Sequence, residues 1–253
     1  MNTKMIDYLM HLADNSLIYG HRLSEWCGHG PILEVDMALS NIALDHIGAA
    51  RSLYQYAAEL EGQGKTEDSY PYFRDIRAFR NVLLVELPNG DFADTIARSL
   101  CFDTYQFFLY QALKNSKDQR IAAVAEKSLK EVTYHQRFSS EWTIRLGDGT
   151  EESREKMQRA ILEVWAYTGE LFDASATEKE LFEAGIGVDL SALKIQWEER
   201  IAEILQEATL SYPMRAQGAW FQKGGKTGIH TEYMSSILSE MQYMQKSYPG
   251  CEW

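Results

Sequence analysis

Apolar residues recur every three or four positions along most of the chain, in runs of twenty residues or more. That spacing lines one face of a helix, so the pattern predicts amphipathic helices at about 3–27, 33–61, 70–85, 92–114, 118–146, 151–173, 189–210 and 230–247. The breaks have chemical causes. Gly28, Gly30 and Pro31 separate the first two helices, Gly62 and Gly64 end the second, and Gly147 and Gly149 close the fifth. Pro88-Asn89-Gly90 reads as a turn from which Asp91 caps the fourth. No linker long enough to separate a pair of domains and no repeat of solenoid period interrupts the series. One all-α domain over residues 1–253, with about seven or eight helices, is expected.

Composition narrows the function. With 37 acidic and 25 basic residues the chain carries −12, and its surface as a whole repels phosphate backbones and anionic headgroups. Nucleic acid is therefore not an expected partner. No apolar run approaches a membrane span and no basic, then apolar, leader opens the chain, so no membrane contact is expected and the cytoplasm is the expected location. Cys27, Cys101 and Cys251 are odd in number and lack CxxC spacing, which reads as three reduced thiols. A Gly-x-Ser-x-Gly elbow, a dinucleotide fingerprint and a His-Glu-x-x-His pair are all missing.

Candidate chemistry lies where a polar group interrupts an apolar stripe, because such a group faces the interior and must be paired or put to use. The first helix offers Ser16 and Gly20 on the stripe Ile6, Leu9, Ala13, Ser16, Gly20, Leu23 and Cys27. The second alternates by four and three through Val35, Leu39, Ile42, His46, Ala49, Leu53, Tyr56 and Leu60, which turns His46 inward with Asp45 on the edge beside it. The fourth sets Asp103 among Ile96, Leu100, Phe107 and Tyr110, and the fifth sets His135 in line with Ser128, Val132 and Ser139.

Two His and one or two Asp on four inner faces are similar to the set with which ferritin-like bundles hold two irons. That site takes a carboxylate from each of two helices and a Glu-x-x-His pair from each of the other two. The present residues fall short of it. Val132 stands where the bridging Glu before His135 belongs, neither register of the second helix puts a His three residues after a carboxylate, and the first helix offers Asn15 or Ser16. A buried network among Asp103, His135 and His46 is the expected use of these groups, with no cofactor in this chain.

Five runs then identify a family. Arg22-Leu23-Ser24-Glu25-Trp26; Asn41-Ile42-Ala43-Leu44-Asp45 through Gly48 and Arg51; Leu83-Leu84-Val85-Glu86 with Pro88-Asn89-Gly90-Asp91-Phe92-Ala93; Tyr134-His135-Gln136-Arg137-Phe138; and His230-Thr231-Glu232 with Glu240-Met241-Gln242-Tyr243 occur in order up to Trp253. The chain thereby resembles the C-subunit (PaaC) family of the multicomponent ring 1,2-phenylacetyl-CoA epoxidases over its whole length. The resemblance implies a ferritin-like, non-catalytic subunit of a bacterial oxygenase that opens aerobic phenylacetate breakdown. It implies as partners a related A subunit, which holds the di-iron centre and the substrate pocket and is kept intact by its C-type partner, and the other epoxidase components. A homodimer stays open. Set against the catalytic relative, Asp103 and His135 match ligand positions, Val132 and Ser16 match ligand glutamates, and the helix-two pair falls on His46 and Ala49 or on Asp45 and Gly48. The rival reading is a metal-dependent oxygenase or oxidase that uses Asp45, His46, Asp103 and His135 as a degenerate site.

The remaining features have simpler readings. Lys223-Gly224-Gly225-Lys226-Thr227-Gly228 lacks the strand that a phosphate-binding P-loop follows and reads as a flexible basic loop, its contact with a CoA diphosphate or an acidic partner left open. Trp26, Trp142, Trp165 and Trp197 read as core or interface anchors. Asp7, Asp14 and the Glu pairs at 151–152 and 198–199 read as solvated helix faces.

Overall fold

The helix Leu33–Glu61 ends at Gly62, where glycine interrupts the apolar period. The computed structural model describes residues 2–213 and 221–251, and Trp253 lies outside them. In chain order the helices are α1 (Asn2–Ser24), α2 (Leu33–Glu61), α3 (Ser69–Phe73), α4 (Phe92–Leu113), α5 (Gln119–Gly147), α6 (Glu151–Val164), α7 (Gly169–Phe172), α8 (Ala176–Glu183), α9 (Leu190–Glu207) and α10 (Glu232–Ser247). The described residues contain no β-strand, so the fold is all-α and consistent with the expected ferritin-like class. None of these helices is long and apolar enough to cross a membrane. The chain gathers into two compact units, Met1–Leu87 with Lys223–Trp253, and Pro88–Gln222.

In the first unit α1 and α2 form an antiparallel hairpin. Gly20 lets them approach: a Cβ there would lie 3.1 Å from the Ala43 carbonyl oxygen and 3.2 Å from His46 Cβ. α1 is buried on every side from Tyr8 to Gly20, because the connection after α2 returns along it. That connection departs from the pattern, which predicts a helix at 70–85. The chain makes only α3 and two 3-10 turns, Ile76–Ala78 and Leu83–Glu86. Side chains of α1 take its amides in place of a helical ladder: Arg80 N–H donates to Asp14 Oδ2 at 2.8 Å and Val82 N–H to Asn15 Oδ1 at 2.8 Å. Phe79, Val82, Leu84 and Val85 are buried by this strap without any α-helix to carry them.

Residues 223–247 close over the strap. Gln242 Nε2 donates to the carbonyls of Pro71 (2.7 Å) and Arg74 (3.0 Å). The Lys223–Gly228 segment is no free basic loop: Gly225–Thr227 is a 3-10 turn, Lys226 is buried, and Gly225 sits on the Asn81 backbone. A Cβ at Gly225 would collide with the Asn81 carbonyl oxygen, which as backbone cannot swing aside. Gly225→Ala should therefore cost about 1–3 kcal/mol, as overpacked sites do, read as a lower midpoint in urea unfolding.

The second unit is built on an α4–α5 hairpin. Asp91 caps α4 as expected, in a reciprocal capping box with Asp94. Phe92 meets the Trp142 ring edge-on at 5.1 Å, tying the start of α4 to the end of α5. Trp197 on α9 is buried against Trp165 and Phe172, and its Nε1–H donates to the Cys101 carbonyl at 2.9 Å. The single helix expected at 151–173 stops at Val164 and continues as a 3-10 turn and α7. There the Ala166 carbonyl accepts from Gln222 N–H at 2.9 Å. α8, which the apolar period missed, starts from a Ser175–Glu178 capping box. The three cysteines are free thiols, Cys101 buried and the others exposed.

Candidate functional site

The positions that face inward by periodicity are inward in the structure. In the first unit Ser16 is fully buried and His46 nearly so, its ring edge-on to Tyr19 with centroids 4.8 Å apart, while Asp45 sits half-buried at the edge of α2. In the second unit Asp103 on α4 and both Val132 and His135 on α5 are buried. The small hydroxyls near His135 are satisfied on their own helix. Ser139 Oγ donates to the His135 carbonyl at 3.1 Å and Thr143 Oγ1 to the Ser139 carbonyl at 2.8 Å.

These donors do not fit a pair of irons. Two iron ions need about six ligands, mostly carboxylates. Val132 presents a hydrocarbon at one of the matching positions and Ser16 a hydroxyl at another, and a valine has no atom with which to coordinate. Among the described residues no three His, Cys, Asp or Glu side chains come together in a group that holds a metal.

The first unit's buried carboxylates lie elsewhere, and both are fully engaged by the protein. Asp14, expected on a solvated face, is completely buried. Its Oδ1 accepts from the Tyr54 hydroxyl at 2.5 Å and from Arg74 Nη2, and its Oδ2 accepts from Arg74 Nη1 at 3.1 Å and from Arg80 N–H. Arg74 also donates from Nε to the Tyr70 carbonyl at 2.7 Å and lies over the Phe79 ring, 4.2 Å from its centroid. Burial first, and then the Asp14 charge, hold the Tyr54 hydroxyl well above the ordinary phenol range.

Glu86, at the end of the strap, is the second. Oε1 accepts from Asn81 Nδ2 at 2.8 Å and lies 2.6 Å from His230 Nδ1. Oε2 accepts from Thr231 N–H at 2.7 Å and its hydroxyl at 2.6 Å. The other ring nitrogen of His230, Nε2, lies 3.2 Å from the Phe79 carbonyl, which only accepts. Arg22 Nε and Nη2 donate to the Glu86 carbonyl at 3.0 and 2.9 Å. With every carboxylate oxygen committed, neither cluster has a lone pair directed at a substrate. The Asp14 cluster holds the strap to α1 and α2, and the Glu86 cluster holds it to α1 and to the carboxyl-terminal segment.

Sequence reading put Asp14 on a solvated face, named Asn15 only beside Ser16 as a first-helix candidate, and did not single out Arg74. The usable signal was that the apolar residues of α1 are not confined to its stripe: from Tyr8 to Tyr19 they occupy all faces, the mark of a helix covered all round.

The described residues form an all-α protein in which the buried carboxylates of the first unit, Asp14 and Glu86, are bonded to the chain's own donors. The model of the family described as "Phenylacetic acid catabolic protein" matches residues 1–253, and the chain belongs to that family. It is 48% identical over 246 residues to the C subunit of the 1,2-phenylacetyl-CoA epoxidase of Escherichia coli (strain K12), covering 97% of this chain and 98% of that one. Three of the runs that carry the family resemblance meet at one place, since Arg22, Glu86 and the pair His230-Thr231 form the second cluster.

Proposed function

We propose that this chain is the non-catalytic structural subunit of a ring 1,2-phenylacetyl-CoA epoxidase in aerobic phenylacetate breakdown, and that it acts in the cytoplasm. It binds a related di-iron A subunit and keeps that subunit folded and soluble, while iron, oxygen and substrate are handled there. The mechanism is mass action: a partner that binds only the folded A subunit lowers the fraction that is open or aggregated. The observation that carries this reading is the pairing of 48% identity to a protein named as the C subunit of such an epoxidase with a valine and a serine at matching ligand positions.

Rigidity supports it too. A scaffold must present a fixed surface, and the buried clusters at Asp14 and Glu86 pin the connection that would otherwise be the loosest stretch of the first unit.

The test is co-expression in iron-replete cells, followed by separation of the chains and iron analysis of each. Iron is expected with the A subunit and far below one atom per chain here. Soluble A subunit should fall severalfold when this chain is omitted. His135→Ala should lower the unfolding midpoint, and turnover should follow the amount of assembled complex. Stoichiometric iron on this chain, or His135→Ala that folds and assembles like the parent yet abolishes turnover, would favour the degenerate-site oxygenase.

A further inference from the structure

α2 carries two seams on opposite faces. The inner one runs from Val35 to Leu60 and includes the buried Val35, Leu39, Ile42, His46, Ala49 and Leu53. The outer one repeats the same four-three alternation at Leu33, Met37, Ser40, Leu44, Ile47 and Arg51. Here Leu33 is 72% exposed, Met37 56% and Leu44 65%, with Ile32 beside them at 51%. A surface helix has no need of apolar residues in register on its solvent side. Four such side chains expose on the order of 400 Å², a patch of the size that marks an interaction site. That is about half of the roughly 800 Å² which each partner contributes to a stable interface.

We infer that this outer seam of α2 receives a helix of the subunit with which the chain assembles, a helix with its own apolar four-three seam flanked by Lys and Arg. The inference rests on the assembly reading above and supplies its contact surface. Periodicity selects a helix as the occupant, since only a helix presents side chains at that spacing along the length of α2. Charge selects which helix. Glu34, Asp36 and Asp45 rim the seam with negative charge, while the exposed Arg51 is tied to Glu67 at 3.1 Å. A second copy of this chain fits badly. Laid antiparallel about the Ser40–Asn41 midpoint it would set Met37 on Leu44, but it would also bring a second acidic rim of Glu34, Asp36 and Asp45 to the same contact, and like charges gathered about a contact are repulsive. Basic flanks on the partner turn the same rim into an attraction.

The experiment titrates the purified chain with the purified di-iron subunit of the same epoxidase, following binding by calorimetry at low and high salt. Met37→Lys with Leu44→Lys should weaken binding at least tenfold and leave the unfolding midpoint of the free chain unchanged. Ile195→Lys, at an exposed apolar residue of α9, should bind like the parent. Parent affinity should fall as salt rises. If the lysine pair perturbs folding, Met37→Ser with Leu44→Ser is the replacement and the same loss is expected. Parent-like binding by the seam variant overturns this inference and leaves the assembly reading standing. A parent that does not bind at all overturns both. A concentration-dependent dimer of the chain alone, abolished by the seam variant while partner binding persists, assigns the seam to a second copy and overturns the choice of occupant.

Discussion

Asp14→Ala is expected to destabilise the protein by about 3–5 kcal/mol, because it leaves the Arg74 guanidinium as an unpaired charge in a largely buried site. Against a typical total of about 5–15 kcal/mol this is a large share. The Tyr54 hydroxyl and Arg80 N–H lose their acceptor at the same time. Chemical denaturation reads the total, and hydrogen exchange at the Arg80 amide reads the local release of the strap. The double variant Asp14→Ala with Arg74→Met should recover some of the loss, since it removes both charges and leaves none stranded. A single variant as stable as the parent, or a double variant no better than the sum of the singles, would show that the pair is not what holds the strap. Tyr54 adds a pH signature. Its proton is retained in the folded protein well above the ordinary value of 10.0, whereas the unfolded chain releases it there. The unfolded state then binds fewer protons, so this contribution is intact below about pH 10 and declines above it. Tyr54→Phe should flatten that alkaline limb.

Glu86→Ala is the second large effect, expected at about 3–5 kcal/mol. Four donors converge on that carboxylate, and each buried donor left without an acceptor costs about 1–3 kcal/mol, with some relief from local rearrangement. Glu86→Gln retains the shape but turns an amide NH₂ toward donors, so it should recover less than half of the loss. The structural consequence is specific. His230 and Thr231 lie 144 and 145 residues from Glu86 in the chain, and they tie the carboxyl-terminal segment to the strap. Limited proteolysis should therefore cut the Glu86→Ala protein within residues 223–251 under conditions where the parent resists. Equal protease resistance would sink the assignment of this cluster as the clasp of the first unit.

Both predictions bear on function through shape. If the chain acts by offering a partner a fixed helical surface, variants that loosen the strap should lower the yield of assembled complex in proportion to the folded fraction, with no separate effect on chemistry. The positions matched to metal ligands are expected to behave in the same way.

Much of this was legible in the sequence where the signal is local. Asp91 could be read as a cap because its partner stands three residues on, and the Ser175–Glu178 box that starts α8 was legible by the same rule although the apolar period there is too short to show it. His46, Asp103, Val132 and His135 were placed inward by the alternation of their own helices, and the poverty of the donor set followed from residue identity alone. The strap at 74–87 was not legible, because burial of Phe79, Val82 and Val85 produces an apolar spacing that a helix would also produce.

Sequence alone thus determined the helical class, the helix ends that carry caps or glycines, and the absence of a coordinating atom at position 132. Tertiary structure decided that α1 is enclosed on all sides, which puts Asp14 and Asn15 inside, and that Arg22, Glu86 and His230 meet. The physical reason is the range of the forces involved. A helix and its caps are settled by hydrogen bonds within a few residues, whereas a buried carboxylate takes whatever donors packing brings to it from anywhere in the chain.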